Sequence, residues 1–243
     1  MLVIAHRGAS GEYPENTKIA FEQAIAQQAD GIELDIQFHT ETGTWWLMHD
    51  LYVDKTTNGQ GQLQTLPHAQ LAMLRTNDNQ PILQLAQALK VINGACSVNI
   101  EVKIANGNAN ELAQIAKHLI DELHLVVKQG IYDWPHLLIS SFNHGFLAAL
   151  KQQQQTLAIG ALIAHCPYEL AASAQLLNAK SINPSIDCLN KELVDDAHQR
   201  GLAVWVYTVD RPQDIAFCAE IGVDAIFTNY PARTQQYLQT LNS

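Results

Sequence analysis

Short apolar runs rich in β-branched residues alternate with helical patterns along most of the chain, and this alternation constrains the fold more than any other feature. The apolar runs predict strands at residues 2–7, 31–37, 45–50, 97–103, 136–142, 157–163, 180–186, 202–209 and 225–229. The helical patterns lie at about 17–28, 83–93, 109–123, 144–153, 168–178, 190–200, 211–221 and 232–241. Repeated strand–helix units produce a parallel sheet, and about 250 residues of them most often close into an α/β structure of the (β/α)8 TIM barrel type. One candidate strand is surplus to the barrel, and the sequence does not show which.

The longest interruption of this rhythm is residues 51–80, which are rich in Thr, Gly, Asn and Gln and hold one weak helical stretch near 67–74. Long connections in compact domains are usually functional or disordered. Because this one directly follows His49 and Asp50, we expect a small insertion over the candidate site, with a plain surface loop as the alternative. No linker-like stretch divides the chain, so we expect a single domain over residues 1–243 with an insertion at about 51–80.

Composition argues against several classes of function. The formal net charge of -10 argues against a nucleic-acid partner, because phosphate backbones require clustered Lys and Arg. No apolar run has the length of a membrane span, so we expect no stable membrane insertion. The cysteines, Cys96, Cys166, Cys188 and Cys218, are far apart and form no CxxC pair, which favours reduced thiols. The first residues, MLVIAHRG, lack the features of a signal peptide, and we expect a cytoplasmic location; the sequence does not indicate the oligomeric state.

Three carboxylates follow or end apolar runs in positions that suit a metal site. Glu33 and Asp35 are separated by one residue, so on a strand their side chains point to the same face. Glu101 lies in a second apolar run, VNIEVKI, and supplies a third carboxylate. If these strands face the inside of a barrel, all-oxygen ligation favours Mg²⁺ or Ca²⁺. The alternative is an edge strand at 31–37 whose polar face lies in water.

Two histidines and two cations occupy similar strand-end positions. His6 is followed by Arg7, His49 is followed by Asp50, and Lys103 lies two residues after Glu101. The near-neutral reference pKa of histidine allows one ring to act as a base and the other as an acid in one turnover. We expect Arg7 and Lys103 to bind phosphoryl oxygens, although both could simply pair with the carboxylates. This set of residues predicts metal-assisted acid/base chemistry on a phosphate ester.

Eight ordered motifs across the chain resemble the glycerophosphodiester phosphodiesterase family, in its small cytosolic bacterial type. The motifs are His6-Arg7-Gly8-Ala9, Pro14-Glu15-Asn16-Thr17, Glu33-Leu34-Asp35, His49-Asp50 with Thr56-Thr57-Asn58-Gly59, Glu101-Val102-Lys103, Ser140-Ser141-Phe142, Trp205 in VWVYTVD, and Thr228-Asn229-Tyr230-Pro231. A single HRGA motif carries little information, whereas the ordered set is specific.

The resemblance implies a (β/α)8 barrel with a small insertion and a divalent cation held by Glu33, Asp35 and Glu101. It implies that His6 and His49 are the general acid and base, and that the substrate is a small-molecule glycerophosphodiester. Such enzymes release sn-glycerol 3-phosphate and an alcohol, by attack of the glycerol 2-hydroxyl on phosphorus and hydrolysis of the resulting cyclic phosphate. We also expect Trp205 and Phe142 to contact the substrate, with simple core packing as the alternative for both.

Two other functions stay open. A related phosphodiesterase or lyase acting on lysophospholipids would be favoured by an apolar trough beside the metal. A non-catalytic phosphodiester-binding barrel would require the loss of a histidine or a carboxylate, and the sequence retains them all. The head group of the substrate is not indicated by the sequence.

Overall fold

The backbone forms nine strands and nine α-helices in the part of the chain that the computed structural model describes, residues 1–104 and 106–241. Ala105, Asn242 and Ser243 of the predicted domain lie outside the described residues. The strands are β1 Leu2–His6, β2 Gly31–His39, β3 Thr44–Leu47, β4 Ser97–Val102, β5 Leu137–Ser141, β6 Ala158–Ile163, β7 Ser181–Pro184, β8 Ala203–Val206 and β9 Ala225–Thr228. The helices are α1 Lys18–Ala26, α2 His68–Leu71, α3 Leu85–Ile92, α4 Ala109–Lys128, α5 His144–Gln153, α6 Ala172–Leu176, α7 Lys191–Gln199, α8 Pro212–Ile221 and α9 Pro231–Leu241.

Eight of the strands are parallel and close into a barrel. Their order is β1, β9, β8, β7, β6, β5, β4 and β2, and direct pairing of β1 with β2 closes the circle. The predicted (β/α)8 barrel is therefore confirmed. Among the described residues, no helix combines the length and the apolar character needed to cross a membrane.

The strand outside the barrel is β3, which corrects one expectation. The sequence interpretation placed His49 at the end of a parallel strand, but β3 runs antiparallel to β2, with Ile36 opposite Leu47 and His39 opposite Thr44. The physical reason is the short connection at residues 40–43, since a parallel crossover needs a dozen or more residues and a hairpin needs only a few. Gly43 adopts a φ of 66° in this turn, a left-handed conformation that suits glycine.

Side chains alternate between the two surfaces of the barrel wall. On β2, Ile32, Leu34 and Ile36 are fully buried in the main apolar core, which also contains the buried helix residues. Glu33 and Asp35 therefore point to the opposite surface, the inside of the barrel. Alternation of the same kind on every strand brings polar residues from distant parts of the sequence into one interior.

Residues 51–80 form a small insertion with its own apolar core. Helix α2 and two short 3₁₀ turns, Val53–Lys55 and Leu63–Thr65, lie in this segment. The core of the insertion packs against residues in and next to β3, and together they form one apolar cluster: Trp46, Met48, Val53, Leu63, Leu71, Leu74 and Ile82. This second core holds the insertion against β3, above the carboxyl ends of the barrel strands.

Candidate active site

The three predicted carboxylates meet inside the barrel, two on the first half of β2 and one at the carboxyl end of β4. The two strands are neighbours, and their register places Asp35 opposite Glu101. Each of Glu33, Asp35 and Glu101 is buried and offers one oxygen, and these oxygens all lie within 4.8 Å of one another. Strand alternation and register thus bring together residues that the sequence separates by more than sixty positions.

Two cations and one amide contact this cluster. The Lys103 ammonium lies 3.0 Å from Asp35 Oδ1 and also forms an ion pair with Glu101. Arg7 Nε lies 3.1 Å from Asp35 Oδ2, and the Arg7 backbone N–H donates to Glu33 Oε2 at 2.9 Å. The Asn16 amide donates to Asp35 Oδ2 at 3.0 Å. Three carboxylates share two cations, so the cluster keeps an excess of negative charge.

The pKa values of the carboxylates reflect this imbalance. Burial, and then the charges of Asp35 and Glu101, raise the pKa of Glu33 well above its usual value. Burial and the charge of Asp35 raise the pKa of Glu101 to about 7. Burial opposes ionisation of Asp35 as well, but Lys103 and Arg7 outweigh it and hold the pKa of Asp35 below its usual value. Two of the three carboxyls therefore need a further cation to stay ionised near neutral pH.

The donor set fits a divalent cation. Glu33 Oε1 is buried and has no hydrogen-bond partner among the described residues. An unpartnered carboxylate oxygen in a buried site is costly, and a cation removes that cost. With only oxygen donors offered by Glu33, Asp35 and Glu101, the cluster suits hard cations better than zinc.

His6 lies at the end of β1 and is oriented by a side-chain relay. Its Nδ1 lies 2.8 Å from Asn229 Oδ1, and Asn229 Nδ2 donates to Asp210 Oδ2 at 2.6 Å. A carboxylate accepts only, so the amide nitrogen of Asn229 must face Asp210 and its oxygen must face His6. The His6 proton therefore resides on Nδ1, which leaves the lone pair on Nε2, 4.0 Å from Glu33 Oε2. Burial, and next the charge of Arg7, lower the pKa of His6 to about 4.

His49 reaches the same site from the antiparallel strand. Because β3 runs back toward the barrel, the residues after it lie beside Asp35, and Met48 N donates to the Asp35 carbonyl at 3.1 Å. Gln37 Nε2 fixes this segment by donating to the carbonyls of Met48 and Asp50 at 3.1 and 2.7 Å. His49 Nδ1 lies 2.8 Å from Asp50 Oδ1, and partial burial lowers the pKa of His49.

A cavity of about 250 Å³ joins most of the predicted residues. Its lining consists of His6, Arg7, Glu33, His49, Asn99, Glu101, Lys103, Phe142, Leu162, Tyr207, Thr208 and Phe227. Phe142 is 46% exposed at the mouth, where its ring packs edge-on against Tyr207. Trp205 is not brought to this cavity. It packs below Phe227, with Ile4 and Leu138, in the lower interior of the barrel.

Several further residues contact the predicted set, and of these Asn229 and Asp210 were not given a role from the sequence. Asn229 and Asp210 orient His6, and Asn16 holds Asp35. Glu15 binds the Arg7 guanidinium at 3.0 Å, which fixes the side chain of Arg7 beside the cavity. Two signals were available for Asn229: it lies in the motif Thr228-Asn229-Tyr230-Pro231, and it directly follows β9, the strand that pairs with β1.

Comparisons with known proteins agree with this geometry. The sequence profile of the glycerophosphoryl diester phosphodiesterase family matches residues 6–233. The chain is 32% identical over 238 residues to a glycerophosphodiester phosphodiesterase from Caldanaerobacter subterraneus subsp. tengcongensis, covering 95% of this chain and 94% of that protein. It is 29% identical to the Bacillus altitudinis glycerophosphodiester phosphodiesterase, with 95% of each covered.

A solved structure extends the likeness to three dimensions. The Oleispira antarctica phosphodiesterase in complex with the product sn-glycerol-3-phosphate matches this fold with a TM-score of 0.88 at 25% identity, covering 98% of this chain and 97% of that one. Together, the profile match and the relatives of near-complete coverage show that the chain belongs to the glycerophosphoryl diester phosphodiesterase family, whose members are phosphoric diester hydrolases.

Proposed function

We propose that the protein hydrolyses glycerophosphodiesters to sn-glycerol 3-phosphate and an alcohol, and that the reaction depends on a divalent cation, Mg²⁺ or Ca²⁺. The observation that carries this proposal is one cavity lined by two histidines, two carboxylates and two cations, with Asp35 directly beneath. The names of the relatives and the bound product of the Oleispira antarctica enzyme support the substrate class.

Glu33, Asp35 and Glu101 are the residues that would hold the cation. A bound divalent cation supplies Lewis-acid stabilisation of developing negative charge and lowers the pKa of a nearby hydroxyl. Arg7 and Lys103 line the same cavity and are the groups suited to contact phosphoryl oxygens, Arg7 through a planar fork and Lys103 as a point charge. Phe142 is a candidate substrate contact at the mouth, and the proposed role of Trp205 is limited to support from below, through Phe227.

The two histidines would carry the protons. In the first step one imidazole takes the proton of the glycerol 2-hydroxyl as its oxygen attacks phosphorus, and the other protonates the departing alkoxide, which gives a cyclic phosphate and the free alcohol. In the second step the roles reverse and water opens the cyclic phosphate. The relay from Asp210 through Asn229 supports this chemistry at His6, because it directs the Nε2 lone pair away from the relay and toward the carboxylate cluster.

An open trough favours the second candidate, an enzyme acting on lysophospholipids. It has a volume of about 310 Å³ and is lined by Leu51, Ile104 and Phe142, together with His49, Asp50 and Lys103. Apolar side chains beside the candidate acid and base would accept an acyl chain. A non-catalytic binding barrel has no comparable support, since the histidines and the carboxylates all converge.

Release of glycerol 3-phosphate, coupled to its dehydrogenase, tests the proposal directly. Choline, ethanolamine, glycerol and inositol esters are assayed after chelation and after return of Mg²⁺ or Ca²⁺, with a lysophospholipid in parallel. We expect activity on the glycerophosphodiesters that chelation abolishes and one of the two cations restores. Full activity after exhaustive chelation would refute the metal dependence, and turnover of the lysophospholipid alone would favour the second candidate.

We propose the cytoplasm as the site of action. All four cysteines carry free thiols, which suits a reducing compartment.

A further inference from the structure

A second cavity lies on the other side of His49 from the catalytic cavity. Its volume is about 260 Å³, and it lies between the insertion and the barrel rim. Glu15 and Asn16 contribute from the loop before α1, and Thr76 and Asp78 contribute from the insertion. His49 lines both cavities, so a group bound in the second one would adjoin the reacting centre.

The cavity is preformed, because packing and backbone hydrogen bonds hold the residues that line it in place. The apolar core of the insertion contains Met48 and Ile82, which also line the cavity. Backbone hydrogen bonds join the two halves of the insertion, from Asn58 N to Arg75 O at 2.9 Å and from Asn77 N to Thr56 O at 3.2 Å. A preformed cavity orders a ligand at low entropic cost.

The charge of the lining is negative. Glu15 and Asp78 supply carboxylates, and among the described residues that line the cavity there is no lysine or arginine. One oxygen of Glu15 accepts from Arg7, which approaches from the catalytic side, whereas Asp78 forms no ion pair within the described part of the chain. An anionic group would be repelled here, and a cation would be attracted.

The rest of the lining suits a small amphipathic group. Leu47, Met48 and Ile82 offer an apolar surface, and threonine hydroxyls lie beside it. A methylated or primary ammonium on a two-carbon alcohol places its charge near the carboxylates and its carbon atoms on the apolar surface. Neutral polyols gain nothing from the carboxylate charge, and bulky apolar chains fit the open trough better.

We propose that this cavity receives the alcohol half of the substrate and selects esters of cationic amino alcohols, such as choline or ethanolamine. The inference rests on the proposed function, because it names the leaving group of that reaction. The phosphodiester lies between the two cavities, with its glycerol half on the His6 side and its alcohol half beyond His49. The carboxylate of Asp78 is the specificity-determining group, since Arg7 partly neutralises Glu15.

The first test compares Asp78→Asn with the wild-type enzyme on the choline and glycerol esters. The ratio of kcat/KM for the choline ester to that for the glycerol ester should fall about three- to tenfold, as expected for the loss of one solvent-exposed charge. Glu41→Gln is the matched control, because Glu41 is an exposed carboxylate in the β2–β3 turn away from the cavity, and it should leave the ratio unchanged. An unchanged ratio in Asp78→Asn would overturn the proposal.

A second test fills the cavity without removing charge. Asn77→Trp should slow cleavage of the intact choline ester far more than hydrolysis of glycerol 1,2-cyclic phosphate, because the cyclic compound lacks the choline half that would occupy the cavity. Equal impairment of both would contradict the assignment of the cavity to the alcohol half.

Binding of choline chloride, followed by saturation-transfer NMR, separates this inference from the proposed function. Choline should bind the wild-type protein and bind Asp78→Asn about three- to tenfold more weakly, whether or not any diester is cleaved. Absence of hydrolysis with retained, Asp78-dependent choline binding would refute the reaction and keep the cavity assignment. Equal choline binding by both proteins would refute the assignment.

Discussion

At the scale of single residues, the two candidate catalytic histidines differ in the group that holds Nδ1. His6 faces the neutral amide of Asn229, whereas His49 faces the carboxylate of Asp50. Both arrangements place the proton on Nδ1 and leave Nε2 as the basic atom. Both acceptors favour the protonated ring, but the full negative charge of a carboxylate stabilises an imidazolium more strongly than an amide oxygen does.

Removal of either histidine should reduce the rate strongly. His6→Ala and His49→Ala should each lose about 10²- to 10⁴-fold in kcat, and the double variant should lose much less than the product, because the two rings act as a unit. A p-nitrophenyl ester, whose leaving group needs no proton, should recover p-nitrophenol release in the variant that lacks the first-step acid. Equal impairment of both variants on both ester types would reject this division of labour.

Asn229 should matter although no substrate contact is assigned to it. Asn229→Ala removes the acceptor that keeps the His6 proton on Nδ1, and we expect kcat to fall about 10- to 100-fold with little change in KM. The ¹⁵N NMR shifts of the His6 ring should change from a single Nδ1–H tautomer to a mixture. A slow variant whose His6 ring keeps the wild-type tautomer would show that Asn229 acts in another way.

Strand-end position made the chemistry-bearing residues predictable, but not their partners. His6, Glu33 and Glu101 could be proposed because polar residues after apolar strands collect at one end of a barrel. The contact between His6 and Asn229 joins residues 223 positions apart and depends on the pairing of β1 with β9. Trp205 was also proposed from its position near a strand end, but its side chain packs in a deeper layer of the barrel interior and does not line the cavity.

At the scale of elements, the length of the connection before β3 determines the direction of that strand, which the apolar pattern does not show. The run before His49 has the composition of a barrel strand, and only the short connection from β2 reveals that it must turn back. The antiparallel course also explains how His49 reaches the carboxylates, since β3 descends toward them instead of ending above them. Helix α4 extends beyond its predicted end because its buried positions continue through Leu123 and Val126.

A half-buried carboxyl on α4 makes stability depend on pH. Burial raises the pKa of Glu122 to about 7, above its value in the unfolded chain. Its stabilising contribution is therefore full below about pH 4 and is lost as the pH rises through about 7. Glu122→Gln should raise the free energy of unfolding by about 1 to 2 kcal/mol at about pH 8 and by little at about pH 4.

Urea unfolding at the two pH values measures this effect. Asp121→Asn is the matched control on the same helix, because Asp121 is exposed and Lys117 lowers its pKa. The control should give no stabilisation at the higher pH. A gain from Glu122→Gln that is equal at both pH values would show that protonation is not its cause.

At the scale of the whole molecule, the barrel concentrates negative charge at the proposed cation site. Closure of eight parallel strands brings three buried carboxylates within 4.8 Å, and two of them have raised pKa values. The barrel itself was predictable from the strand–helix rhythm. The electrostatic repulsion among the three carboxylates was not predictable, because it depends on distances that are set only when the barrel closes.

The repulsion among the buried carboxylates predicts opposite effects of one substitution on stability and on cation binding. A cation present at about 100 times its dissociation constant should stabilise the wild-type fold by about 2.7 kcal/mol, or roughly 5 to 10 °C in Tm. Glu33→Gln relieves the carboxylate repulsion, so its metal-free Tm should exceed that of the wild-type protein, while its response to Mg²⁺ or Ca²⁺ should shrink and its activity should be lost. Scanning calorimetry after chelation, with each cation then added separately, measures both changes, and Glu41→Gln should behave as the wild-type protein does. A wild-type Tm that neither cation shifts would contradict the metal site, whereas a lower metal-free Tm in Glu33→Gln would show that Glu33 is adequately paired in the free protein.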